Sequence, residues 1–253
     1  MSKDHNSNIV GKVLYEYQTL SSTNDEALSL IKKGVVEEGT LVTTQHQTKG
    51  RGQMGTIWQS DPGENITISV VLKPGFLEIS EQFYLNKAVC VALRFFLSDF
   101  IQLARVKIKW PNDLYIDDHK IAGVLIQNVL QGHIYQWAVI GIGLNVHQCK
   151  FGEDLINPTS LSLVTGQQYH LDNLKSKLYE KLDLYYREIK QQKRVLDDIY
   201  TESLYKVGQI IDFHLPDGAS FKGSIVGVEE SGALKVSEVN GIQHKFRIKE
   251  IRY

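Results

Sequence analysis

The chain has 253 residues with 42% apolar content, enough to bury a core in one large domain or in a large one with a small companion. A formal net charge of -1 excludes both a global basic field for DNA or RNA and an acidic solvating tail, so any anion binding must be local. Two cysteines, Cys90 and Cys149, are too few and too widely separated for a disulfide framework or a zinc site. The opening MSKDHNSN has no hydrophobic signal core, and no apolar run approaches the roughly 20 residues needed to span a bilayer, so a cytoplasmic setting without a membrane partner is expected.

In chain order, SSTNDEALSLIKKG places Thr23 and Glu26 three apart, a capping-box pattern, and follows them with Ala27, Leu28, Leu30 and Ile31 before Gly34; a short helix is predicted there. Residues 40–44 and 65–72 read as strands on either side of a loop rich in glycine. Residues 80–100 are too long and too continuously apolar for a strand and predict a buried helix. Three β-rich runs follow, VKIKW, KIAGVLIQNVL and IYQWAVIGIGLNV, with turns at Asp117-Asp118-His119 and Gln131-Gly132-His133. Adjacent hairpin-like strands imply a mixed, largely antiparallel sheet backed by helices. The stretch 171–203 alternates apolar and charged residues at helical spacing without glycine or proline and predicts helix. Beyond Gly208 the pattern changes to short strands separated by Pro216-Asp217-Gly218, Ser231-Gly232 and Asn240-Gly241, as in a small β-barrel or sandwich. The expected fold class is α+β, divided into a catalytic unit at 1–203 and a small β-unit at 204–253.

Three stretches can carry chemistry. In TTQHQTKGRGQMGTIWQS, Gly50, Gly52 and Gly55 let backbone N–H groups converge on an anion, and Arg51 adds a permanently charged fork suited to carboxylate or phosphate. The alternative is a flexible, solvated surface loop. The Gly-Lys-Ser/Thr ending of a P-loop and the spacing of a dinucleotide-binding turn are both missing. In KIKWPNDLYIDDHKIAGVL, Pro111 drives Trp110 out of the helical region and Asn112-Asp113 favour a turn, so Lys109 and Asp113 are presented together at a strand end, with Lys120 on the returning strand. An ordinary turn with a surface ion pair is the alternative. Gly123 weakens that returning strand unless a ligand or backbone must approach closely. In GIGLNV, Asn145 stands at a strand end, while Gly141 and Gly143 either admit a ligand or relieve packing. The eight histidines lack metal-ligand spacing, and no Gly-x-Ser-x-Gly or HExxH pattern is present.

In this order, SSTN, QTKGRGQMGTIW, KWPNDLYIDDHKIAGVLI and GIGLNV resemble the biotin–protein ligase family, over a span from about Val13 to the end, and the terminal β-unit is similar to the family's small SH3-like C-terminal domain. The resemblance implies ATP-dependent attachment of biotin, through biotinoyl-AMP, to a lysine of a biotin carboxyl carrier domain, with ATP and Mg2+ required and no resident metal site. It implies catalytic roles for Arg51, Lys109, Asp113 and Lys120. Biotin contacts would come from Ser22, Thr23, Asn24, Gln47, Gly50, Arg51, Gly52, Lys109 and Gly123, and adenylate contacts from Arg51, Trp58, Lys109, Asn112, Lys120 and Asn145. The twenty or so residues before SSTN are too few for a helix-turn-helix module, so the expectation is the monofunctional form without DNA binding, with a homodimer compatible. Three positions depart from the family pattern: Gln53 replaces a second arginine and Met54 a further basic residue, and Gln127 stands where glutamate is frequent. The rival readings are a lipoate ligase on the same scaffold and a non-enzymatic module that grips RNA or protein.

Overall fold

The computed structural model describes residues 8–253, so nearly all of the polar opening lies outside the described residues. The chain runs through β1 (Leu14–Leu20), α1 (Thr23–Lys33), β2 (Thr40–Gln47), β3 (Asn65–Leu72), α2 (Phe83–Leu97), β4 (Val106–Lys109), β5 (Asp113–Ile116), β6 (His119–Gln131), β7 (Ile134–Asn145), α3 (Leu161–Thr165), α4 (Leu171–Gln191) and α5 (Lys193–Glu202). It ends in β8 (Ile211–His214), β9 (Ser220–Val228), β10 (Leu234–Glu238) and β11 (Gln243–Phe246). The first seven strands form one sheet in the order β1-β2-β3-β7-β6-β5-β4, parallel only between β1 and β2. The last four form an antiparallel sheet, β11-β10-β9-β8. The architecture is α+β, as expected, and the small sheet is consistent with an SH3-like module.

Alternation along the central strands sorts their side chains between two faces. Ile66, Ile68, Val70 and Leu72 of β3 and Ala138, Ile140, Ile142 and Leu144 of β7 join the main core beneath α2 and α4. α2 has buried residues on every side, because the sheet, α4 and α5 enclose it. Each fully buried Leu or Phe here contributes about 1.5–3 kcal/mol. The opposite face is only partly covered: α1 packs Ala27 and Leu30 on Val42, Val71 and Val139. Farther along the same face the strands present Thr67 and Ser69, Gly141 and Gly143, Gly123, Leu125 and Gln127. Small and polar side chains where a core would need large apolar ones leave a concavity, and the chemistry gathers there.

Two local expectations are corrected. Ser22, not Thr23, caps α1: its backbone is extended, φ -155 and ψ 132, and its hydroxyl accepts from the Asp25 N–H, while Thr23 occupies the first helical position. Glu26 accepts from the Tyr17 hydroxyl instead of reaching back to complete a capping box. The predicted helix over 171–203 is broken at Gln192, φ -142 and ψ 47. The break re-aims the chain so that Leu196 and Tyr200 of α5 bury and Asp197 reaches Lys87 of α2.

Candidate active site

The inner wall of the concavity is a polar network rooted in the α1 N-terminus. The Thr23 N–H donates to Gln47 Oε1 at 2.9 Å, and Thr23 Oγ1 lies 3.2 Å from the same oxygen. The Ser69 hydroxyl lies 2.8 Å from that of Thr23 and donates to Asn24 Oδ1 at 2.6 Å. Asn24 Nδ2 donates in turn to Gln127 Oε1 at 2.8 Å. Ser22, Thr23 and Asn24 are all buried, at 2–4% exposure, so every polar atom left over must find a partner inside the cleft. Gln127, the unexplained departure in sequence, thus has a physical role: an uncharged acceptor that orients the Asn24 amide. A Cβ on Gly141 would lie 2.4 Å from Asn24 Oδ1, so glycine is what lets Asn24 reach the strand.

The floor is a glycine pair. Gly123 of β6 and Gly143 of β7 are register partners, and the Trp58 indole rests on both: a Cβ on Gly143 would come within 2.2 Å of Trp58 Cε2, and one on Gly123 within 3.2 Å of Cζ3. Close approach, not packing relief, is therefore why both strands carry glycine there. Trp58 Nε1 is buried without a hydrogen-bond partner. The ring is placed by the glycine loop, which closes on itself through Trp58 N–H to Gly50 O at 3.0 Å, Gly52 N–H to Thr56 O at 2.8 Å and an Arg51–Ile57 bridge. Met54 at its tip sits at φ 50, in the left-handed region.

The outer lip is charged. Lys120 Nζ meets Asp113 Oδ2 at 2.7 Å and lies 5.8 Å from the Trp58 ring centroid. Asp113 is placed by pairing opposite Gly123, and Lys120 by its backbone: its N–H donates to Asn157 O at 2.7 Å, and its carbonyl accepts from Thr159. The turn between β4 and β5 contains a cis Trp110–Pro111 peptide and is held by Asn86 and Tyr200, which both donate to Pro111 O, and by Asn112 donating to Val124 O.

These elements enclose a cleft of about 310 Å³ that brings together Ser22, Thr23, Asn24, Gln47, Arg51, Gly52, Trp58, Asn112, Asp113, Lys120 and Gly123 of the residues expected from sequence. Three expected residues are not on its wall. Gly50 lines a neighbouring concavity; a Cβ there would strike Trp58 O at 2.3 Å. Asn145 is buried at the far end of β7 and donates to Thr159 O at 2.9 Å. Lys109 pairs across from Asp113 in register, but its ammonium lies among the rings of Tyr115, Tyr205 and Tyr253, 5.3–5.8 Å from their centroids. Burial holds its pKa below the ordinary lysine value, partly offset by Asp113, while burial pushes Tyr115 up to about 12. Arg51 lines the cleft with its guanidinium 3.0 Å from Asp25 and more than half exposed. Among the lining residues that sequence reasoning does not single out, Ile248 and Lys249 arrive from beyond the small sheet. No motif in their neighbourhood announces them.

The chain belongs to the biotin/lipoate A/B protein ligase family, whose model matches residues 15–145. The bifunctional ligase/repressor BirA of Bacillus subtilis is 29% identical over 240 residues, which is 93% of this chain and 72% of that protein. The biotin–[acetyl-CoA-carboxylase] ligase of Mycobacterium tuberculosis is 26% identical over 217 residues, covering 84% of this chain and 79% of the relative. Among solved structures, the biotin protein ligase of Aquifex aeolicus in complex with biotin and ATP superposes with a TM-score of 0.77 at 22% identity, covering 95% of this chain and 98% of that one. At that identity the likeness establishes the fold.

Proposed function

We propose that the chain is a biotin–protein ligase that joins biotin to a specific lysine of a biotin carboxyl carrier domain in two steps. The biotin carboxylate attacks the α-phosphorus of ATP, expelling pyrophosphate and leaving biotinoyl-AMP; the acceptor amine then attacks the acyl carbon, loses a proton and releases AMP. The observation that carries this reading is one cleft with two unlike ends: an uncharged hydrogen-bonding wall of Thr23, Asn24 and Gln47, braced from behind by Ser69, and a charged lip of Lys120 and Asp113. The wall suits a ureido edge, which both donates and accepts, and the Trp58 ring offers an apolar surface for the bicycle.

The lip suits the chemistry. A carboxylate and a phosphate repel, and cations fixed beside them lower the cost of bringing them into line. Lys120 is assigned to that task, joined by Arg51 once its guanidinium leaves Asp25 for the ligand. Asp113 orients the incoming amine and assists loss of its proton. Lys109 bears on the site through Asp113, its cross-strand partner, and Asn145 through the segment at Thr159 that also holds Lys120. Mg2+ belongs to this reading as the companion of the ATP phosphates: Asp113 is the single carboxylate lining the cleft, and among the described residues no group of three or more metal-ligating side chains is gathered. An ion held chiefly by phosphates and water is compatible with that donor set. The reading divides the chain into a catalytic unit up to residue 203 and a C-terminal module from 204 onward. It also includes a cytoplasmic location and a protein, not a nucleic acid, as acceptor, in keeping with the formal net charge of -1.

The test is incubation with biotin, MgATP and a carrier domain, followed by intact mass of the acceptor. One added biotinoyl group per carrier is expected, and Lys120→Ala should lower kcat/KM by on the order of 10²–10³. Pyrophosphate exchange that depends on lipoate and not on biotin would replace this reading with its nearest relative.

A further inference from the structure

At the end of the sheet where β3 begins and β7 ends, two buried carboxamides join the glycine loop to the chain that leaves β7. Asn65 and Gln148 are 5% and 4% exposed, and neither lines the cleft. Asn65 Nδ2 donates to Ser60 Oγ at 3.1 Å and to Gln148 Oε1, while Asn65 Oδ1 accepts from the Val146 N–H at 3.0 Å. Gln148 Oε1 also accepts from the Asp61 N–H at 3.1 Å, and Gln148 Nε2 donates to Lys150 O at 2.9 Å. The backbone groups fix both amide orientations, because an N–H can only donate and a carbonyl can only accept. Every oxygen and nitrogen of the two amides is thus engaged. Replacing both members of such a pair by apolar groups of the same shape is often nearly neutral for stability, so what the amides add is a defined arrangement of the segments they join.

That arrangement bears on both ends of the reaction. Ser60 and Asp61 form the returning arm of the glycine loop, just past Trp58. Gln59, between them and the indole, lies over Gly152, where a Cβ would meet Gln59 Oε1 at 2.9 Å. Val146 and Gln148 open the segment that closes on Lys120, through Lys120 N–H to Asn157 O and Thr159 N–H to Lys120 O. The carbonyl of Thr159 is held by Asn145, which faces Asn65 in strand register. One junction is therefore the root of two segments, one carrying Trp58 and one seating Lys120, whose ammonium lies 5.8 Å from the Trp58 ring centroid.

We propose that Gln148 is a positioning residue for the joining of acid and nucleotide: with Asn65 it locks the root of the glycine loop to the root of the segment at Lys120, so that Trp58 and Lys120 hold their ligands in line. The assignment deepens the ligase reading and rests on it. Without the lock each substrate still finds the side chains that bind it, but the two are no longer presented to each other in a fixed geometry. A displacement of about 1 Å at such a point costs up to on the order of 10² in rate. The loss belongs to kcat and not to KM.

The experiment uses the intact chain. Gln148→Met, of similar length, removes both the acceptor and the donor, whereas Gln148→Glu keeps an oxygen for Asn65 and Asp61 and gives up only the bond to Lys150 O. In pyrophosphate exchange Gln148→Met is expected to lower kcat about tenfold or more, with KM for biotin and for ATP each within about threefold of native, and Gln148→Glu to recover kcat to within about threefold. Tryptophan emission of ligand-free Gln148→Met should move to the red as the indole leaves its seat on Gly123 and Gly143, and that of Gln148→Glu should not. A native kcat per folded molecule in Gln148→Met, a loss confined to KM, or equal losses of kcat in the two variants would overturn the assignment; a purely structural role would lower Tm in both and leave kcat per folded molecule unchanged. A native chain without biotin-dependent exchange would remove the ligase reading, and the emission of the two variants, which needs no substrate, tells that failure apart from a failure of Gln148 to seat Trp58.

Discussion

At the scale of single residues, the glycine pair under Trp58 makes a sharp prediction. A methyl on Gly143 cannot coexist with the indole at 2.2 Å, and the ring has nowhere deeper to go, since it already rests on Gly123. Gly143→Ala should therefore expel Trp58, with a red-shifted tryptophan emission and a loss of stability of roughly 1–3 kcal/mol as for other overpacked sites. Unchanged emission together with an unchanged urea midpoint would show that the ring is not seated where it is drawn. Much of this site is legible in sequence, because glycine in a strand, proline before Asn-Asp and a polar run before a helix are each locally unusual. What is not legible is pairing across distance. Nothing in GVLIQ says that Gln127 will serve Asn24, 103 positions earlier, and nothing in FRIKE says that Lys249 will reach Met54.

Among the elements, the contact between α2 and α5 shows how a charge is kept in a core. The side chain of Lys87 is 1% exposed and lies against Phe83, Tyr84 and Tyr200, and Asp197 is its carboxylate partner. Tyr84 donates to the other oxygen of Asp197 at 3.0 Å, so the carboxylate is itself fixed. Asp197→Ala leaves the ammonium buried and uncompensated, and should cost about 3–5 kcal/mol in urea unfolding. Replacing Lys87 by Met in the same variant should recover most of that loss. The sequence displays α2 plainly, as a long apolar run, and β3 likewise. It does not display the interruption between α4 and α5, because Gln192 is no breaker and the turn is imposed by what Tyr200 and Asp197 must touch. β1 also passes without notice, since an edge strand with one exposed face carries a weak alternation.

For the molecule as a whole, the tyrosines dominate the response to alkali. Burial raises Tyr84, Tyr135, Tyr179, Tyr186, Tyr200 and Tyr253 well above 10.0 and Tyr115 to about 12. Because the folded pKa lies above the unfolded one, their contribution is fully present below pH 10 and is lost as pH rises through the folded values. The urea midpoint should be level up to about pH 9–10 and then fall steeply. Tyrosinate absorbance in a pH titration should rise mainly with unfolding, not before it. A gradual absorbance rise centred near 10 with the fold intact would contradict the burial described.

The hydrogen bond from Trp110 Nε1 to Gly232 O, 2.9 Å long, ties the turn that positions Asn112 and Asp113 to the far side of the small sheet. Tyr253, the last residue, adds its ring to those around Lys109. Truncation before Ile211 would orphan one donor, uncover one ammonium and remove Lys249 together. The two sheets therefore share a single cooperative fate at the reaction centre, and a shortened chain would be inert even where its seven-stranded half still folded.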